Sequence, residues 1–98
     1  MYFLTSIFLP AKGSDRKRCT RTFGYFLTLQ EAMKAREENR GNMMECLYNY
    51  LIIERFDPGI HSLAEEVYWA KWDDERNKWK AIDQPPPELV GIINFAIG

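Results

Sequence analysis

Segments with the composition of β-strands outnumber helical segments in this chain, and this imbalance constrains its fold more than any other feature. β-Branched and aromatic residues, which favour strands, are concentrated in six segments, at 2–9, 19–27, 47–56, 66–72, 78–82 and 92–97. Turn residues bound these segments, and one connection alone carries the start and stop signals of a full helix. The sequence therefore predicts an α+β fold with a mainly antiparallel sheet of four to six strands.

The one main helix is predicted at about 28–40. The segment Thr28–Glu31 matches a capping box, in which the Thr hydroxyl accepts from the backbone N–H three residues on and the Glu side chain reaches back. Gly41 follows where glycine commonly ends a helix. A second, shorter helical turn is expected at 88–91, directly after three prolines that break the chain.

Two further patterns predict how the strands are arranged. The segment 47–56 is largely apolar on both faces, which is typical of a central strand that is covered on both sides. The polar turn before the last hairpin strand contains Asn77, a residue that tolerates positive φ. A short hairpin there would make Trp72 and Trp79 cross-strand neighbours.

The chain is expected to form a single domain, 1–98, because 98 residues suffice for one core. Two cysteines, Cys19 and Cys46, are too few for a disulfide scaffold, so reduced thiols in the cytoplasm are expected, although the sequence leaves open whether the two can pair. The apolar start at 1–9 lacks a basic leader region and is too short to span a bilayer. We therefore expect no membrane association.

Aromatic residues exceed what one helix can cover. The chain has 6 Phe, 5 Tyr and 3 Trp, and those on predicted strands include Tyr48, Tyr50, Tyr68, Trp69, Trp72 and Trp79. A helix of a dozen residues is only about 18 Å long and covers one face of a small sheet. The other face needs the C-terminal segment, a second copy of the chain in a homodimer, or a protein target, since aromatic residues are enriched at interface cores. These six residues are the candidate partner-binding residues, with packing in the core as the alternative.

A second candidate surface is the basic loop at 12–21. Its cations are Lys12, Arg16, Lys17, Arg18 and Arg21, against the single acid Asp15. Such a cluster can hold the phosphates of a nucleic acid or nucleotide. A solvated hairpin tip is the alternative, and the net charge of -1 favours it because nucleic-acid-binding domains are usually basic. The charge is uneven, since residues 1–49 are net positive and residues 50–98 net negative.

The sequence contains no motif that predicts an enzyme or a metal site. His61 is the single histidine, which removes most nucleophile–base pairs and metal-ligand sets. Glu65 and Glu66 are adjacent and would point to opposite faces of a strand. The acids at 73–75 lack the spacing of a calcium loop. We therefore expect no catalytic residues, no cofactor and no metal.

Several short segments resemble a group of small bacterial and mobile-element proteins of unknown function. These segments are Thr5–Phe8, Gly24–Phe26 with Ala32 in the following helix, Tyr50–Glu54 and Asn94–Gly98. The resemblance implies no activity, cofactor or functional residue, and a mobile-element origin would favour an interaction protein that acts on a host complex. The combined prediction is a non-enzymatic protein-binding or accessory module. Nucleic-acid or nucleotide binding through the basic loop is the alternative.

Overall fold

The computed structural model describes residues 1–38, 48–58, 64–92 and 94–96. The elements are strand β1 (Tyr2–Phe8), strand β2 (Cys19–Phe26), helix α1 (Leu29–Glu38), strands β3 (Tyr50–Arg55), β4 (Glu65–Asp73) and β5 (Lys78–Ile82), and a 3-10 turn (Pro87–Leu89). The strands form one sheet in the order β2-β1-β3-β4-β5, and every neighbouring pair is antiparallel. The predicted α+β fold, with one main helix and a short C-terminal helical turn, is confirmed.

The local signals that predicted element boundaries correspond to contacts in the structure. The backbone N–H of Glu31 donates to Oγ1 of Thr28 at 3.1 Å, which satisfies one of the free N–H groups at the start of α1. Asn77 adopts φ 53° in the turn between β4 and β5. Trp72 and Trp79 are cross-strand partners with ring centroids 5.2 Å apart. The predicted helix stop at Gly41 lies outside the described residues.

Strand β3 lies in the middle of the sheet, as its apolar sequence predicted. It pairs with β1 on one side and β4 on the other. Leu51, Ile52 and Ile53 follow one another along it and are all fully buried, although successive residues of a strand point to opposite faces. Both faces of the sheet are therefore covered at its centre.

Different segments cover the two faces. The helix face is the one where Ala32 of α1 packs among Leu4, Leu51, Ile53, Ala70 and Trp79. The opposite face, the C-terminal face, is the one where Leu89, with Ile92 and Phe95 beside it, packs against Ile7, Ile52 and Trp69. Burying a side chain of this size contributes about 1.5–3 kcal/mol, so each layer is a substantial part of the core.

A buried glutamate holds the C-terminal segment on the sheet. The two carboxylate oxygens of Glu54, which is fully buried on β3, accept the backbone N–H groups of Phe95 and Ala96 at 3.0 Å each. Burial raises the pKa of the Glu54 carboxyl above its ordinary value of 4.5, the backbone donors oppose that rise, and the charge of Glu66 adds to it. The interior thus contains an ionisable group whose charge state is coupled to the C-terminal segment.

The prediction of a final buried strand at 92–97 is wrong for its described part. Residues 95–96 form a turn, and Asn94 before them adopts φ 58°. The backbone N–H groups of Phe95 and Ala96 point to the Glu54 carboxylate, so they are not available to a neighbouring strand. An apolar segment can be buried by packing across a sheet as well as by joining it.

Candidate protein-binding edge

The six aromatic residues predicted to form one contact face are divided between the two faces of the sheet. Tyr68, Trp72 and Trp79 pack on the helix face, Tyr50 and Trp69 pack on the C-terminal face, and Tyr48 packs against Phe23 with ring centroids 6.2 Å apart. Tyr48, Trp69 and Trp79 are buried, and the other three are half-buried. The structure does not bring the six together on one surface, and partner binding by any of them stays a prediction.

The chain itself supplies much of the cover for its tryptophans. Phe95 packs edge-on against Trp69 with ring centroids 5.6 Å apart. Trp79 is only 4% exposed and belongs to the cluster around Ala32. Of the three sources of cover that the sequence left open, the C-terminal segment is the one observed over Trp69. Trp69 and Trp79 are therefore largely covered by their own chain.

Strand β2 forms one edge of the sheet, and no strand among the described residues pairs with its outer side. Its first four residues, from Cys19 to Thr22, are all exposed. An edge strand presents a row of unpaired backbone N–H and C=O groups that another strand can pair with. The opposite edge, β5, has 5 residues and carries Lys78 and Lys80, which is a composition that discourages pairing. Strand β2, with 8 residues, is the more accessible edge.

A bulge divides β2 into two halves. The register with β1 shifts between Leu4 and Thr5, which leaves Phe23 as an extra residue on β2. On one side of the bulge, Oγ1 of Thr22 lies 3.1 Å from Oγ1 of Thr5 and fixes the register of the first half, residues 19–22. The second half, residues 24–26, has its own set of neighbours on β1.

The second half of β2 leads into an apolar patch that consists of the exposed side chains of Met1, Tyr25 and Leu27 and the half-buried side chain of Phe3. Tyr25 is 65% exposed and lies opposite Phe3, with ring centroids 5.7 Å apart. Leu27, which follows the strand, is 74% exposed, and Met1 before β1 is 43% exposed. Contiguous exposed apolar side chains on a small domain often mark an interaction site. Sequence reasoning missed this patch, although the alternate spacing of Tyr25 and Leu27 was visible.

The first half of β2 adjoins the five predicted cations of the basic loop, and all five are exposed: Lys12, Arg16, Lys17, Arg18 and Arg21. No ion pair joins any of them to a carboxylate in the part of the chain that the structure describes. The guanidinium of Arg16 lies over the ring of Phe8 at 4.3 Å, and that of Arg21 lies over the ring of Phe23 at 5.0 Å. These cation–π contacts restrain both side chains.

The chain that leads into the basic loop is fixed to the sheet. The side chain of Asn49 accepts the backbone N–H of Leu9 at 2.8 Å and donates to its carbonyl oxygen at 2.7 Å. Within the loop, the backbone N–H of Arg16 donates to Oγ of Ser14 at 3.1 Å. The loop therefore leaves β1 in a defined direction.

The acidic turn between β4 and β5 lies at the same end of the sheet as the basic loop. The registers that pair Phe8 with Cys19 and Asp73 with Lys78 place both connections there. Four strand spacings of about 4.8 Å separate the two edges, so the turn lies about 19 Å from β2. That distance exceeds the Debye length of about 8 Å at physiological salt, so the turn hardly affects an ion bound at the loop.

The described residues contain no group of three or more His, Cys, Asp or Glu side chains that could hold a metal ion. An open depression of about 450 Å³ beside the β4–β5 turn is lined by Lys71, Trp72, Asp73, Asp74, Glu75, Lys80 and Ile82, none of which is a histidine or a nucleophilic Ser or Cys. His61 and Cys46 lie outside the described residues. No described helix has the length and apolar character needed to cross a membrane.

Comparison with protein-family models, curated proteins and solved structures finds no match to this chain. The resemblance to bacterial and mobile-element proteins therefore stays a prediction. The functional interpretation depends on the geometry of the β2 edge.

Proposed function

We propose that this protein is a non-enzymatic protein-binding module that accepts an extended segment of a partner along the outer side of β2. The observation that carries this proposal is the accessible edge of β2 joined to the patch in which Tyr25 and Leu27 are 65% and 74% exposed. In strand addition, backbone hydrogen bonds supply affinity and alternate side chains supply specificity. Apolar side chains of the added segment would pack on the patch.

The partner is a different protein rather than a second copy of the chain. A two-fold antiparallel pairing of β2 with itself over its full length would place Tyr25 of one copy beside the exposed polar half, Cys19–Thr22, of the other. The apolar patches of the two copies would then not meet. A cytoplasmic location is part of the proposal, because the exposed thiol of Cys19 would stay reduced there.

The test is a selection of strand-forming peptides of about ten residues, a length that spans β2, from a random display library against the intact protein. We expect the selected peptides to alternate apolar and polar residues and to perturb the NMR signals of the amides in residues 19–26. Binding should be lost in the double variant Tyr25→Glu with Leu27→Glu. It should survive in Val90→Glu, the matched control, because Val90 is also 65% exposed but lies outside the patch. Peptides whose binding is unaffected by the double variant would contradict the proposal.

Nucleic-acid binding through the basic loop is the second candidate, and the five exposed cations without a described ion pair favour it. A polyanion long enough to cross this end of the sheet would also meet Asp74 and Glu75 of the acidic turn. Its signature would be an affinity for single-stranded DNA that falls steeply with salt. An affinity that does not change with salt would exclude it.

A further inference from the structure

We infer that the first half of β2 recognises acidic side chains in the partner segment, with Arg16 and Arg21 as the recognising residues. This inference rests on the proposed function, because it specifies the chemistry of the segment that pairs with β2. The apolar patch would bind one half of the segment, and the two arginines would bind the other half. The expected ligand is an extended peptide with an apolar part and an acidic part.

The geometry of β2 places the two guanidinium groups along one face of the edge. Arg21 lies opposite Ser6, and Cys19 lies opposite Phe8, the residue whose ring carries the guanidinium of Arg16. Cys19 and Arg21 are two residues apart on a strand, so both point to the same face. A partner strand beside β2 would present alternate side chains on that face. Two acidic residues at positions i and i+2 would therefore reach Arg21 and Arg16.

Both guanidinium groups are held in place before the partner arrives. Arg16 lies over Phe8 at 4.3 Å and Arg21 over Phe23 at 5.0 Å, and neither forms an ion pair with a described carboxylate. Stacking on a ring restrains the side chain and leaves the N–H donors at the edge of the guanidinium plane for an anion. Less rotamer freedom is then lost on binding, which favours affinity. A lysine would keep the charge but lose the planar donor geometry.

Acidic peptide side chains fit this site better than a nucleic acid does. The apolar patch at the other half of β2 includes the exposed aliphatic side chains of Met1 and Leu27, which suit the apolar side chains of a peptide. A stretch of two or three acidic residues would stay near β2, whereas a longer polyanion would extend toward the acidic turn about 19 Å away. Strand addition also uses the backbone N–H and C=O groups of the edge, which pair with a peptide backbone.

The order of the two parts in the partner follows from strand direction. Every pair in this sheet is antiparallel, so an antiparallel sixth strand continues the pattern. Its N-terminal part would then lie beside Tyr25 and its C-terminal part beside Arg21. The expected motif has alternate apolar residues followed about three or four residues later by alternate acids.

The experiment uses three capped synthetic peptides of about ten residues and measures their binding to the intact protein by fluorescence anisotropy. All three begin with alternating valine and threonine. The first ends with two aspartates at alternate positions, the second replaces these by asparagine, and the third has the sequence of the first in reverse order. At low salt we expect the first peptide to bind about tenfold more tightly than the second, as two exposed charge pairs can provide.

Variants of the protein separate recognition of charge from pairing with the strand. In Arg16→Gln with Arg21→Gln, the first peptide should bind no better than the second, and binding of the second should be unchanged. The control Lys34→Gln with Arg76→Gln removes the same charge at side chains 76% and 71% exposed elsewhere and should keep the tenfold preference. Urea unfolding of each variant shows that it is folded. Arg16→Lys with Arg21→Lys should keep only part of the preference.

The remaining outcomes overturn the inference in distinguishable ways. If the first and second peptides bind equally and Tyr25→Glu with Leu27→Glu abolishes both, strand addition stands and recognition of acids is wrong. If no peptide binds, the proposed function fails as well. If the reversed peptide binds best, the assigned direction is wrong. If a single-stranded DNA of about 20 nucleotides binds more tightly than the first peptide and Arg16→Gln with Arg21→Gln weakens it, the basic loop binds nucleic acid instead.

Discussion

Replacement of Trp79 by alanine decides whether the strand aromatics belong to the core or to an interface. Trp79 is 4% exposed, contacts Trp72 across the hairpin at 5.2 Å and belongs to the cluster around Ala32. If its own chain encloses it, the variant should lose stability. If a partner encloses it, the isolated protein should barely change.

The size of the effect follows from burial. Truncating a buried Trp to Ala removes packing and leaves a cavity, so the free energy of unfolding should fall by about 3–5 kcal/mol. Native proteins have free energies of unfolding of about 5–15 kcal/mol, so the variant would retain little or none of its stability if the wild type lies at the lower end of this range. The matched variant Trp79→Phe should stay within about 1 kcal/mol of the wild type. The phenylalanine makes fewer apolar contacts than Trp79, which lowers stability. The substitution also removes the Nε1–H group of Trp79, a buried donor without an acceptor among the described residues. Burying such a donor costs about 1–3 kcal/mol, so its removal offsets the lost contacts.

Urea unfolding followed by circular dichroism measures these differences, and an unchanged slope of free energy against urea would show that two-state behaviour is kept. Tyr25→Ala provides the contrast, because Tyr25 is 65% exposed and its loss should change the free energy of unfolding by no more than about 0.5 kcal/mol. A fall below 1 kcal/mol for Trp79→Ala, or equal losses for Trp79→Ala and Tyr25→Ala, would refute the assignment of Trp79 to the core.

Three further predictions use the same unfolding measurement. The raised pKa of Glu54 means that, between pH 4.5 and that raised pKa, the folded state keeps a proton that the unfolded chain releases. Wild type should therefore gain stability relative to Glu54→Gln as pH falls through the raised pKa, with no further gain below 4.5, and parallel pH profiles would contradict this. Thr28→Ala removes the acceptor for Glu31 and should cost about 1 kcal/mol, with Ser at 28 as the neutral control. Asn77→Ala should cost about 1–2 kcal/mol because of its φ of 53°, whereas Asn77→Gly should not.

Features that depend on neighbours in sequence could be predicted. The capping residue Thr28, the turn residue Asn77 and the Trp72–Trp79 pair all follow from contacts within a few residues. The central position of β3 was also predictable, since only a strand covered on both sides keeps Leu51, Ile52 and Ile53 in succession. In each case the local preference of the residues agrees with their position in the folded structure.

Features that depend on strand order could not be predicted from a single sequence. The apolar sequence of β3 predicted a central strand, but the sequence of β2 did not show that β2 forms an edge or which strand lies beside it. The number of aromatic residues left open what covers the second face, and the contact of Phe95 with Trp69 appears only in the fold. The turn at residues 95–96 depends on hydrogen bonds to Glu54, about forty residues earlier. The alternation of residue types within a short segment does not indicate a partner so distant in sequence.

The fold places a basic segment from the first half of the sequence and an acidic segment from the second half at opposite edges of the sheet. The basic loop lies at the β2 edge and the acidic turn lies at the β5 edge, on the same end of one sheet. An acidic segment that approaches this end is therefore attracted toward the basic loop beside β2, within the screening length of about 8 Å at physiological salt. Since β5 carries lysines that discourage pairing, charge and edge composition both direct an incoming strand to the same side of the sheet. This agreement between two independent features makes β2, rather than the buried tryptophans, the surface on which function should be tested.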